Sequence, residues 1–256
     1  CNWLAENGFT DTPLHFSRLT PPADTFRIGT LDDLPWRELW QGFVFNGEKV
    51  GFSRLSIENI PGSENFRIVS EAELRILFIG TEKQISTKSE DIVRPDLTMV
   101  SFRYEEDIGG GPVITEGALK DDTFASTRYI GDTVQTFEET VHAPLYPTGV
   151  INLYPVVKGL SVGAHYRYTV YDPQSQSFAV VSQAVVSFEA NDELDIEPSY
   201  KLTSTMGGHE VSTWINTKGE AVFELGMAGV LVSVKEDERE ARRYLIETGL
   251  NKKDFV

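Results

Sequence analysis

At 256 residues the chain can bury a substantial core, and its 40% hydrophobic and 11% aromatic content argues against a disordered polypeptide. The 39 acidic residues outnumber the 23 basic ones, for a net charge of −16. That sign argues against nucleic-acid binding and against a polybasic grip on anionic lipid, both of which need clustered cations. Solubility accounts for the acidity, and a basic partner would be attracted by it.

No apolar run approaches the roughly 20 residues that a membrane-spanning helix requires. A single cysteine rules out an internal disulfide. There is no CxxC, no HExxH and no close histidine pair: His15, His142, His165 and His209 lie far apart. No metal site and no cofactor is expected.

Cys1 opens the chain. Read as a residue exposed by processing, it is a lipoprotein cysteine carrying diacylglycerol on sulfur and a further acyl chain on its amine. Each buried methylene contributes about 0.8 kcal/mol, and more than one acyl chain gives stable anchoring. An artificial chain start and an amino-terminal nucleophile stay open as other readings. Asn2 is not the aspartate associated with inner-membrane retention, which favours the periplasmic side of an outer membrane.

Residues 1–37 hold turn-formers and no sustained period, and Pro21-Pro22 forces extended backbone. They read as an arm or tether, with Trp3, Phe9, Phe16 and Phe26 as anchors for docking onto a partner. From Glu38 the period becomes two. "LWQGFVFNGEKVGFSRLSIENI" predicts a hairpin turning at Asn46-Gly47, a dipeptide suited to positive φ. Alternating segments follow to residue 142, separated by turn signals such as Arg94-Pro95-Asp96 and Gly109-Gly110-Gly111. Short turns between such segments make neighbours antiparallel.

Residues 143–163 break the rhythm. Three prolines bracket apolar pieces, and "GVINLYPVVKGL" predicts one or two helical turns interrupted by Pro155 within a crossover or lid. Strands resume over 164–234, ending in a hairpin that turns at Thr217-Lys218-Gly219. Residues 235–256 form a tail containing the helix "EDEREARRYLIE". The fold expected is mainly β: a large curved antiparallel sheet, half-barrel or sandwich-like, with a short helical insert and a C-terminal helix, residues 38–248 forming one domain.

The chemical candidates are few. The acidic runs at Asp32-Asp33, Glu105-Glu106-Asp107, Asp121-Asp122 and Glu138-Glu139 could serve acid–base chemistry, but adjacent acids on a strand point to opposite faces. "EDIGGGPV" lacks the Lys-Ser/Thr and following helix of a phosphate loop and reads as a hairpin tip. Trp40, Tyr154, Tyr166, Tyr168 and Trp214 could line an apolar pocket, or simply fill a core. No complete catalytic constellation is visible, so the chain reads as non-catalytic.

Two stretches carry a resemblance. "LWQGFVFNGEKVGFSRLSI" and "STWINTKGEAVFELGMAGVLVSVKEDEREA" resemble the opening and closing hairpins of the amino-terminal β region in bacterial transglutaminase-like envelope proteins. The resemblance implies a curved antiparallel sheet and no activity, because catalysis in that family belongs to a downstream Cys-His-Asp domain and no triad member has a counterpart here. The functional expectation is a non-catalytic cell-envelope lipoprotein: an accessory or scaffold subunit that binds other envelope proteins, as a member of a multi-subunit complex would. The alternatives are a periplasmic carrier of an acyl chain or other apolar ligand beneath residues 143–163, and the β domain of a longer transglutaminase-like protein.

Overall fold

A computed structural model describes residues 15–45, 47–78, 81–226 and 229–247. The alternating segments form one sheet. Its first arm holds β2 (Glu38–Phe45), β3 (Glu48–Asn59), β4 (Phe66–Phe78), β5 (Thr81–Val93), β6 (Met99–Asp107), β7 (Val113–Lys120), β8 (Thr123–Ile130) and β9 (Thr133–Thr140). Its second arm holds β10 (Leu145–Pro147), β11 (His165–Asp172), β12 (Ser177–Asn191), β13 (Ile196–Met206), β14 (His209–Asn216), β15 (Ala221–Gly226) and β16 (Leu231–Glu236). A two-residue strand, β1 (Ser17–Arg18), completes the set of sixteen.

Antiparallel pairing of β16 with β2 joins the two arms, so the sheet runs from β10 through β16 and β2 to β9. Every pair is antiparallel except β10 with β11. The two ends of this path are consecutive in the chain. Only residues 141–144 connect β9 to β10, and at about 3.5 Å per residue they reach roughly 17 Å. The sheet must therefore roll until its ends are close.

The roll overlaps itself. On β11, Val170 faces an inner core with Tyr168, Val181 and Val185, while the adjacent Tyr171 is buried on the opposite face against Phe102 and Phe124 of β6 and β8. Both faces of this strand are covered, which requires the β6–β9 flap to lie over the outside of the other arm. Glu106 and Arg128 seal the overlap. Their side chains meet at 3.4 Å, and Arg128 also donates to the carbonyls of Pro173 and Gln174 in the β11–β12 turn.

The inside of the roll is filled by the chain between β10 and β11. A 3-10 turn (Thr148–Val150) leads into helix α1 (Leu153–Lys158), whose Leu153, Val156 and Val157 are buried with Ile57, Ile68, Leu202 and Ile215 from both arms. Pro155 was expected to interrupt this helix and does not. It is the third helical residue, where a backbone N–H has no partner within the helix, so its missing donor costs nothing.

Two further expectations need correction. The last segment is not a single hairpin: after β15 the chain turns again beside Gly229 (φ +89°) and returns as β16. The arm is not a free tether over its described length. From His15 onward it lies on the sheet, with β1 paired to β12 along the stretch that β11 leaves uncovered. Helix α2 (Glu238–Glu247) forms where the sequence places it, capped by Asp237, whose carboxylate accepts from the Glu240 N–H at 2.8 Å.

If the helix inside the roll is core, Leu153→Ala should lower the unfolding free energy by about 2–5 kcal/mol in denaturant titrations. A loss below about 1 kcal/mol would show that the insert is not a structural plug.

Candidate functional site

Backbone taken inside a roll must find hydrogen-bond partners there. The strands supply polar side chains from their inner faces for this purpose. Gln183 donates from Nε2 to the Ile151 carbonyl at 3.1 Å, and Tyr168 donates to Gln183 at 3.0 Å. Asn152 donates to Glu224 of β15 at 2.7 Å, and Thr213 of β14 donates to the same carboxylate at 3.2 Å. The Tyr166 hydroxyl bonds the Gly159 carbonyl. From the arm, Arg27 donates to the Val157 carbonyl at 3.1 Å, and Phe26 exchanges backbone bonds with Leu160.

Asp91 of β5 is the least expected member of this set. Its carboxyl is buried against Gly149, where a Cβ would collide with Oδ2, so only glycine allows this approach. Burial pushes Asp91 up to about 7, against the pull of the Gly149 N–H and the Ser89 hydroxyl. Burial raises Glu224 as well, opposed by its bonds from Asn152 and Thr213. Sequence reading singled out neither residue: Glu224 is a lone acid in an alternating strand, and Asp91 follows Glu90 in a strand whose buried face the sequence does not mark.

The five residues proposed to line one apolar pocket fall in three places. Tyr154, Tyr166 and Tyr168 do meet: the Tyr154 and Tyr168 rings stack at 3.9 Å, with Tyr146 edge-on at 5.1 Å to Tyr154. They pack into the core beside α1. Trp214 lies on the outer face, stacked on Phe16 at 4.5 Å. Trp40 lies under α2 with Phe52 and Ala241. Strand alternation explains the scatter, because rings on different strands share a pocket only if their faces agree.

The expected docking anchors divide likewise. Phe16 and Phe26 are spent within the chain, on Trp214 and at the Leu160 bridge, so they are intramolecular anchors rather than partner contacts. Cys1, Trp3 and Phe9 lie outside the described residues. Among the acidic runs, Asp33 caps a 3-10 turn (Leu31–Asp33) through the Thr30 N–H at 2.9 Å. Glu106 faces inward to Arg128 while Glu105 faces outward to Arg103 at 3.6 Å, as alternation requires.

Two clefts open on the outside. One, of about 300 Å³, lies beside α2 and is lined by Trp40, Arg54, Glu71, Lys88 and Arg242 among others. Its cations are paired, Lys88 with Glu71 of the same cleft at 2.8 Å and Arg242 with Glu238 one helical turn away at 2.7 Å. The other, of about 590 Å³, is a half-open groove between Ile196, Val222 and Lys235. Neither lies beneath residues 143–163. Among the described residues no group of three His, Cys, Asp or Glu is placed to hold a metal ion.

The sheet's two edges differ sharply. β10 has only three residues, all buried, and ends in Pro147, which has no N–H to leave unpaired. β9 has eight residues in unbroken register with β8 and, among the described residues, no strand on its other side. All but Phe137 are exposed. Val134, 58% exposed, pairs across the ladder with Tyr129, and the exposed Ile130 pairs with Thr133 beside it. β9 contains no proline, no lysine and no bulge, three of the usual guards of a free edge, and its charges are confined to Glu138 and Glu139 at one end.

No family model and no curated protein matches the chain. Among solved structures it is similar to a β-barrel-like protein of a domain of unknown function, DUF1849, from Brucella abortus. The identity is 10%, 78% of this chain and 94% of that chain are covered, and the TM-score is 0.52. A DUF1089 family protein from Pseudomonas aeruginosa aligns at 11% identity over 80% of this chain and 95% of that chain, with a TM-score of 0.37. The first likeness establishes a shared β-barrel-like fold and nothing about activity.

The buried acid beside Gly149 gives a pH prediction. Because its folded-state value is raised, Asp91 is neutral in the fold while it ionises in the unfolded chain, so its contribution is full below about pH 4 and falls until about pH 7. The Asp91→Asn variant lacks this loss. Relative to it, the wild type should lose stability between those two pH values in denaturant titrations. Parallel pH curves would contradict the assignment.

Proposed function

We propose that the protein is a non-catalytic accessory subunit that binds another protein by strand addition at the free edge of β9. One observation carries this reading: the roll buries the β10 edge and leaves the eight-residue β9, seven of its residues exposed, with no further strand beside it among the described residues. An unpaired edge presents alternating N–H and C=O groups, and an extended segment of a partner satisfies them. The apolar surface at Tyr129 and Val134 gives that segment something to pack on.

The carrier alternative needs an apolar cavity of several hundred Å³ beneath residues 143–163. That space holds Leu153, Val156 and Val157, fully packed among strand residues, and this favours binding at the edge over carriage inside. Strand addition at β9 operates whether or not Cys1 carries the lipid expected from the sequence.

Val134→Lys places a charge on the exposed edge without touching the core, so the protein should keep its circular dichroism and melting behaviour. Immobilised wild type should retain a protein from its native cells that the variant retains at least about tenfold less well, a difference of about 1.4 kcal/mol. Val230→Lys, exposed in the turn between β15 and β16 midway along the sheet, should retain it normally. Equal retention by all three proteins would contradict the proposal.

A further inference from the structure

The outer face of the sheet carries a row of cross-strand charges that shows what the edge should accept. Glu58 of β3 meets Arg67 of β4 at 3.4 Å, and Arg67 meets Glu90 of β5 at 3.0 Å. Arg103 of β6, in register with Glu90, meets Glu116 of β7 at 3.0 Å. Acid and base thus alternate from strand to strand. Tyr129 of β8 then donates its hydroxyl to Glu116 at 3.2 Å.

At β9 the compensation stops. Alternation puts Val134, Thr136 and Glu138 on this outer face, since Phe137 points inward to Phe124 and Phe178. The neighbour of Glu138 across the ladder is Ala125, and no cation among the described residues pairs with it. At the same end of the strand the Asp121-Asp122 turn and Glu139 add negative charge against a single base, Lys120. The other end, around Val134 and Tyr129, is apolar.

Resting on the strand-addition reading, we infer that the β9 edge selects an extended, antiparallel partner segment with a basic residue first and an aliphatic residue four positions later. Antiparallel addition continues the pattern of the sheet and is the more stable pairing. It sets the start of the incoming segment against Glu138 and its later residues against Thr136 and Val134. The cation extends the row of alternating charge, and the aliphatic side chain covers Val134 and Tyr129. A segment of opposite order puts its cation on the apolar end and leaves Glu138 unanswered. Exposed ion pairs contribute little to affinity but do fix register and direction.

Fluorescence anisotropy with two labelled peptides tests this, TKTVTVTT and its reverse, TTVTVTKT, of identical composition and charge. The forward peptide should bind the full chain about fivefold more tightly than the reverse one, the scale of one or two cross-strand pairs. Glu138→Lys should erase that preference, and Val134→Lys should weaken both peptides. Equal binding of the two peptides, or a preference untouched by Glu138→Lys, would overturn the inference. So would self-association of the wild type that Val134→Lys abolishes, because the occupant would then be a second copy of the chain. If neither peptide binds while Val134→Lys still loses a cellular partner, the order rule falls and strand addition stands; if that partner is also unaffected, both fall.

Discussion

A sheet that does not close on itself has two edges, and the backbone groups along them must be paired, hidden or left open to another chain. Much of this molecule answers that constraint at one end. The β10 edge is cut to three residues, ended by Pro147 and buried beneath the flap, with Leu145 in the cluster of Met99, Phe102 and Phe124. Along β12 the same need is met in pieces: β11 covers Ser177–Ala184, Val185 exchanges bonds with Gly163 and Ala164, and β1 covers Glu189–Ala190. Against that thoroughness the edge of β9 stands out, for no strand among the described residues covers it.

Rolling creates a second demand, because the interior has to be filled. Side chains from facing strands do not do it alone; the segment between β10 and β11 enters and brings its own backbone polar groups. That explains why buried hydrophilic residues, Asp91, Gln183, Thr213 and Glu224, line the inner face of an otherwise apolar sheet. Asp91, Gln183 and Glu224 each meet the insert, and Thr213 supports Glu224. The arrangement is costly at Asp91, whose Oδ2 accepts no hydrogen bond among the described residues, and a neutral carboxyl lessens that cost.

The strands were legible because their signals are local. Period-two alternation and turn dipeptides need no knowledge of distant contacts, and the hairpin around Gly47, the glycine turn after β6 and helix α2 all form where those signals lie. The mainly β, curved antiparallel architecture follows from them. Less visible was what depends on which strands end up facing. Trp40 and Trp214 were grouped with the tyrosines although they occupy outer-face clusters, because aromatic character says nothing about face. Phe16 and Phe26 were assigned to a partner although Trp214 and Leu160 receive them. The bare edge was not assignable to β9 either: the segment "TVQTFEET" reads as an ordinary strand, and only the topology makes it the last one.

The central claim is that β9 is paired on one side and open on the other in the isolated chain. Residue-resolved amide hydrogen exchange tests it directly. In β8, flanked on both sides, amides should be protected throughout, whereas in residues 133–140 protection should alternate, slow where the N–H points to β8 and near the unfolded rate where it points away. Uniform protection along β9 in the monomer would mean that the edge is already occupied, and would contradict the account.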